Sequence, residues 1–247
     1  MERRRGGNTE PMSTLTRHRA HESRATPRSA AATAVTLVVA WAVILGLVVG
    51  FGWLVTHALK GAVNPWDNDI SRWFTDQRTG ALNGPADIGT LLGETPVGVG
   101  VAVVTALVFA IWKRSWRPVL FVALVEAGIG GFYYVATTVD TRQRPPVKIL
   151  DPGLVADHSF PSGHTATAVV AYGGILVLTA AYARSALRWV LVVGLVPLFV
   201  LLSRLYQGAH HLTDVLTSVV YASAWLLLVA RRVPFSDPKA RTSSSDS

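Results

Sequence analysis

Five ionisable residues stand at the edges of apolar runs where such groups are costly: Arg144, His164, Arg204, His210 and Asp214. Arg144 and Arg204 carry planar guanidinium forks that match pairs of phosphate oxygens. His164 ends the stretch Ser159-Phe160-Pro161-Ser162-Gly163-His164, and an apolar run follows from Thr165. The free N–H groups of a helix starting there, with the Ser162 hydroxyl, make an anion site. His210 and Asp214 are four apart. A helix starting near His210 puts both on one face. A carboxylate bonded to one ring nitrogen then fixes the tautomer and frees the other nitrogen as nucleophile or base. Together these residues describe phosphoryl transfer. One histidine attacks phosphorus, the other protonates the leaving oxygen, and positive groups hold the equatorial oxygens. The arginines neutralise charge, so the scheme calls for no metal and no cofactor. A His-x3-Asp pair supplies only two metal ligands, and no third is obvious. Singly, each residue has a structural explanation: a cap at Ser162, a snorkelling Arg204, a capping Asp214.

Membrane-spanning helices are the elements that must position them. Of 247 residues, 50% are hydrophobic and 15% charged, against roughly 25% charged in soluble domains. Apolar runs lie at about 34–58, 96–112, 118–139, 165–183, 187–206 and 212–230, each near the roughly 20 residues a spanning helix needs. A large soluble helical bundle would require six uniformly apolar helices, which favours the membrane reading. There is no cysteine, so disulfides and thiolate chemistry are excluded. The net charge of +8 does not point to nucleic acid, because seven arginines sit in the first 28 residues and the rest follow the loops. Sixteen Lys and Arg fall on the side of the termini and seven on the other. The positive-inside rule places both termini in the cytoplasm. The expected organisation is a disordered basic tail at 1–33, a six-span domain at 34–231 and a second tail at 232–247.

Parity then collects the polar residues. The loop after span three, the end of span five and the start of span six share the outer face. Arg144, Ser162, His164, Arg204, His210 and Asp214 can meet there. The 59–95 loop, with Trp66, Trp73 and Phe74 among charges, predicts one or two interfacial helices, chiefly over 64–82, with Pro65 able to start one. Glu126, mid-span, reads as a neutral or hydrogen-bonded acid packed near Gly128, Gly130 and Gly131. His211 points about 100° away from His210 on a helix and reads as structural. His57, Asp157 and His158 lie on the outer side without a spacing argument.

Arg144-Pro145, Pro161-Ser162-Gly163-His164 and Ser203-Arg204-x5-His210-x3-Asp214 resemble the three-part signature of the type 2 phosphatidic acid phosphatase superfamily. The resemblance runs over roughly 60–230 and includes Asp87 to Gly93. It implies that His210 is the nucleophile forming a phosphohistidine and Asp214 orients it. His164 is then the general acid, and Arg144, Ser162, Gly163 and Arg204 bind phosphate. In one respect the chain departs from the family, whose first motif is Lys-x6-Arg-Pro: Thr137 stands where the lysine belongs. Arg142 or Lys148 is a candidate source of the missing charge.

The expected protein is all-α and polytopic, with six transmembrane helices. It is a metal-independent phosphatase of the plasma membrane, with its active site on the extracytoplasmic face. Its partners are the bilayer and a lipid phosphate: polyprenyl pyrophosphate, phosphatidic acid or phosphatidylglycerol phosphate. A lipid phosphotransferase using the same histidine, and a catalytically weak lipid-binding or transport protein, stay open as alternatives.

Overall fold

The computed structural model describes residues 30–235. Both expected tails lie almost wholly outside this range. Of the described residues, 81% are helical and none forms a strand. Six helical segments are long and apolar enough to cross a membrane: Ala30–Ala58, Thr95–Lys113, Arg117–Val139, Gly163–Tyr182, Arg184–Tyr206 and Leu212–Arg232. The spans turn Val35, Val38, Leu47, Val104, Ile111, Trp189 and Val192 outward, each more than half exposed. Hydrocarbon is the solvent such a surface requires, and the chain is a multi-pass membrane protein.

The first helix, α1 (Ala30–Trp53), includes residues before the expected 34, and Ala30, Ala31 and Ala32 are strong helix formers. It continues through a π turn, Leu54–Ala58. The 59–95 loop folds into two helices, α2 (Lys60–Asp76) and α3 (Gly80–Gly93), so the 64–82 segment was too short. Pro65 lies inside α2 and does not start it. Trp66 and Trp73 are exposed on α2, whereas Asp67 and Ser71 are buried.

Helix α4 (Thr95–Lys113) has Pro96 in its first turn, where the missing N–H costs nothing. It ends at Arg114, which takes a left-handed conformation with φ 48°. Helix α5 (Arg117–Val139) likewise begins with Pro118 in its first turn. Helix α6 (Gly163–Tyr182) is capped by Ser162. The fifth span is interrupted: a 3₁₀ turn, α7 (Leu187–Val190), a 3₁₀ stretch at Leu191–Leu195, then α8 (Val196–Tyr206). Pro197 cannot donate to the turn before it, which accounts for the irregular entry to α8. Helix α9 (Leu212–Arg232) closes the bundle.

Helix α6 is central and presents small side chains. Ala166, Ala168, Ala171 and Gly174 let α4, α8 and α9 approach closely. An aromatic cluster locks α1, α5 and α9. Trp41 stacks on Phe132 with centroids 5.2 Å apart, and Phe132 meets Tyr221 and Trp225 edge-on at 5.4 and 5.7 Å. The Trp41 indole N–H donates to the Gly128 carbonyl at 3.0 Å. A Cβ at Gly128 would fall on the Trp225 indole, and one at Gly131 would lie 2.8 Å from Trp41. Gly130, by contrast, faces open space. The prediction is direct. Gly128→Val splays α5 from α9 and destabilises by about 1–3 kcal/mol, whereas Gly130→Ala leaves the thermal midpoint in detergent near wild type.

Candidate active site

Three connections meet on one side of the bundle as parity required: α2 and α3, the 140–162 loop, and the 207–211 turn between α8 and α9. Helix α9 begins at Leu212 with His211 as N-cap. Asp214 is the third helical residue, and its carboxylate accepts the His211 backbone N–H at 2.8 Å. That contact stops the helix before His210. His210 and Asp214 therefore do not share a helical face, and the His210 Nδ1 lies 3.9 Å from the carboxylate. The ring is oriented instead by the Ser159 carbonyl, 2.7 Å from Nδ1. A carbonyl only accepts, so Nδ1 carries the hydrogen and Nε2 keeps its lone pair. Asp214 acts one step away: the Ser159 hydroxyl donates to it at 2.6 Å.

Asp214 is fully buried and saturated. Its other oxygen accepts from Arg142 Nη1 at 2.5 Å. Arg142 Nη2 donates to Asp67 on α2 at 2.9 Å, and Nη1 also reaches the Thr213 hydroxyl at 2.6 Å. Arg142 is thus held between two buried carboxylates, which removes it as a source of the missing positive charge. Asp67 carries no motif signal. Its position in a helix with an exposed tryptophan face was the only sequence hint. Lys148 is exposed and has no side-chain partner among the described residues. Thr137 is buried and spends its hydroxyl on the Tyr133 carbonyl of its own helix at 2.8 Å. It does not replace a phosphate-binding lysine.

Arg144 is less free than expected. Its guanidinium donates to the carbonyls of Val155, Ala209 and His158 at 2.8, 2.6 and 3.1 Å. It staples the 140–162 loop to the 207–211 turn and lends the site its charge. Burial, then the neighbouring Arg204, pull its pKa below the ordinary value.

Arg204 is completely buried. Only Nη1 is engaged, with Thr90 (3.1 Å), Asp151 (2.8 Å) and Gln207 (3.0 Å). Its Nε and Nη2 have no partner. Buried donors are normally satisfied, so this edge of the fork is a ready pair of donors for two oxygens of one anion. Helix α3 supplies the support. Gln207 accepts from Thr90 at 2.7 Å and donates to Asp87 at 3.0 Å. Asp151 and Gln207 carried no signal in the sequence beyond proximity to the motifs.

Ser162 caps α6, accepting from the Thr165 N–H at 3.4 Å and sharing a hydrogen bond with its hydroxyl at 3.0 Å. The N–H groups of Gly163 and His164 are left for an anion. The His164 side chain makes no hydrogen bond among the described residues and lines a partly enclosed cavity of about 240 Å³. A Cβ at Gly93 would lie 3.1 Å from the His164 Cβ, so α3 packs directly behind this histidine. The charges of Arg204 and Arg144 act on both histidines. Burial first, then Arg204, hold His210 well below the usual histidine pKa, and Asp214 only partly opposes them. His211 faces Asn68, with Nε2 at 3.1 Å from its Oδ1. No group of three or more His, Cys, Asp or Glu among the described residues is arranged to hold a metal ion.

A bundle of six spans with a buried histidine and a half-free arginine at one end of its helices is the architecture in hand. Residues 116–237 match the family model of the PAP2 superfamily. No curated protein matches the chain. A crystal structure described as the first transmembrane PAP2 type phosphatidylglycerolphosphate phosphatase, from Bacillus subtilis, is similar in fold, with a TM-score of 0.63 at 24% identity. The match covers 79% of this chain and 92% of that one.

Removing Arg142 strands two buried carboxylates. Arg142→Ala is expected to cost about 3–5 kcal/mol of stability, read as a large drop in the thermal midpoint. Lys148→Ala, at an exposed and unpaired position, should leave the midpoint unchanged.

Proposed function

We propose that the chain is a membrane lipid phosphatase that works through a phosphohistidine on His210, on the extracytoplasmic side. The observation that carries this reading is the state of His210: buried, Nδ1–H tied to the Ser159 carbonyl, Nε2 unencumbered, and pKa depressed. Such a ring is neutral and aimed, as a nucleophile must be. The unpartnered edge of Arg204 and the N–H groups of Gly163 and His164 would hold the phosphoryl oxygens. Nε2 would attack phosphorus in line, and His164 would protonate the departing oxygen. His164 would then take a proton from water as that water displaces phosphate from His210. Arg144 contributes charge and holds the two loops together. Asp214 positions His210 through Ser159 and does not bond the ring directly.

The match of residues 116–237 to the PAP2 superfamily model supports the phosphatase class. The Bacillus subtilis structure is named for phosphatidylglycerolphosphate, which favours a lipid phosphate as substrate here. A site at the outer ends of six spans suits a substrate whose tail stays in the bilayer. The distribution of Lys and Arg supports the outward orientation.

Three outcomes are expected. His210→Ala abolishes phosphate release from lipid phosphates, and after brief reaction with substrate labelled in its scissile phosphate an acid-labile, alkali-stable label is found on wild type only. Phosphate release without any added acceptor separates hydrolysis from transfer; its absence would favour the transferase. His164→Ala slows the reaction by about 10²–10⁴-fold, and substrates with good leaving groups recover much of the loss.

The pH behaviour follows from burial. A histidine with a lowered pKa stays neutral as pH falls through its ordinary value of about 6.5 and protonates only well below it. Nitrogen chemical shifts of the His210 ring should therefore be constant through that range. A titration near 6.5 would contradict the buried position.

A further inference from the structure

The cavity beside His164 has an unusual lining for membrane depth. Thr95, Glu126, Tyr133 and Thr167 contribute polar groups, with Val99, Ile129 and Gly130 between them. No Lys or Arg lines it. Glu126 lies seven residues before Tyr133 on α5, about two turns deeper in the bilayer. Its Oε1 is buried and has no partner. Burying a carboxyl oxygen without a hydrogen bond is costly, so the site is incomplete as it stands. Thr167 adds to this. Thr105, Thr137 and Thr217 return their hydroxyls to the carbonyl four residues back, but Thr167 makes no such bond among the described residues. The Tyr133 ring lies against Gly163, where a Cβ would be 3.0 Å from Cε2. That contact holds Tyr133 beside the helix start that carries His164.

The cavity also has an exit. Val99 and Glu126 belong both to it and to an apolar groove of about 140 Å³ between α4 and α5. Val103, Ala106, Leu107, Val119, Val122 and Ala123 complete that groove. A polar chamber next to the proposed general acid therefore continues into a hydrocarbon track on the lipid-facing side.

We propose that this chamber and groove hold the leaving group of the substrate, and that they select a neutral, oxygen-bearing one. The class is a phosphomonoester lipid whose scissile phosphate is followed by hydroxyl or ester oxygens, with an acyl chain laid between α4 and α5. Hydroxyl and ester oxygens satisfy Tyr133, Thr167 and Glu126. A lipid diphosphate is disfavoured, because its leaving group is itself a phosphate. That phosphate would enter a chamber with an unpaired carboxyl and no Lys or Arg to meet it. The transferred phosphoryl group, by contrast, has Arg204. This selection rests on the phosphatase reading above.

The test compares kcat/KM for phosphate release from phosphatidic acid and from a polyprenyl diphosphate, in mixed micelles with the full-length protein. Wild type should prefer the monoester by about tenfold or more, about 1.4 kcal/mol. Glu126→Gln, nearly isosteric, should reduce that ratio by about tenfold. Tyr133→Phe should lower kcat/KM for the monoester more than for the diphosphate. Equal or faster hydrolysis of the diphosphate by wild type would overturn the proposal while leaving the phosphatase reading intact. So would a ratio unchanged in both variants. Hydrolysis of neither lipid would overturn both.

Discussion

The structure depends on one buried cation. Arg142 sits between Asp67 and Asp214, each carboxylate fully buried and each within 2.9 Å of the guanidinium. Two carboxylates at this depth would be untenable alone, and one arginine cannot be removed without stranding both. Its planar fork meets them from opposite sides, which a lysine could not do. Through this contact the interfacial helix α2, the 140–162 loop and the start of α9 become one unit. The histidine follows from it: Asp214 holds Ser159, and the Ser159 carbonyl orients His210.

Around that unit, polar groups are either fully used or left free, and the division tracks the chemistry proposed. Arg142 and Arg144 spend their donors on carboxylates and carbonyls. Arg204 spends one nitrogen and keeps two. Ser162 is consumed as a cap, while the N–H groups after it are not. A saturated scaffold holding a few unsaturated donors is how a site is preorganised for an anion: the charge is in place before the ligand arrives. Low dielectric strengthens that charge and also keeps His210 neutral.

The bilayer explains where this scaffold sits. Backbone groups between spans cannot face lipid unsatisfied, so the polar loops gather at the helix ends. The spans themselves are packed on small residues and aromatic rings. The departure from that economy is the chamber along α5, where Glu126 and Tyr133 face space without a Lys or Arg.

Much was legible from the chain alone. The six spans, their order and the convergence of Arg144, His164, Arg204 and His210 on one face follow from apolar run lengths and parity. Run length and sidedness are one-dimensional properties, so they can be read without coordinates. The Ser162 cap was equally readable, because capping is local. What failed were statements needing a distance between segments. Asp214 was assigned to the His210 ring on four-residue spacing, but the helix starts two residues later, and a carbonyl from 51 residues away takes that place. Arg142 looked available for phosphate until Asp67, 75 residues distant, was found beside it. Thr137 looked like a weakened ligand and is a side chain bonded to its own helix. Sequence determined which residues reach one common face of the bundle. Only the tertiary structure decided which donors were already taken, because a hydrogen bond between distant segments leaves no periodic trace in the chain.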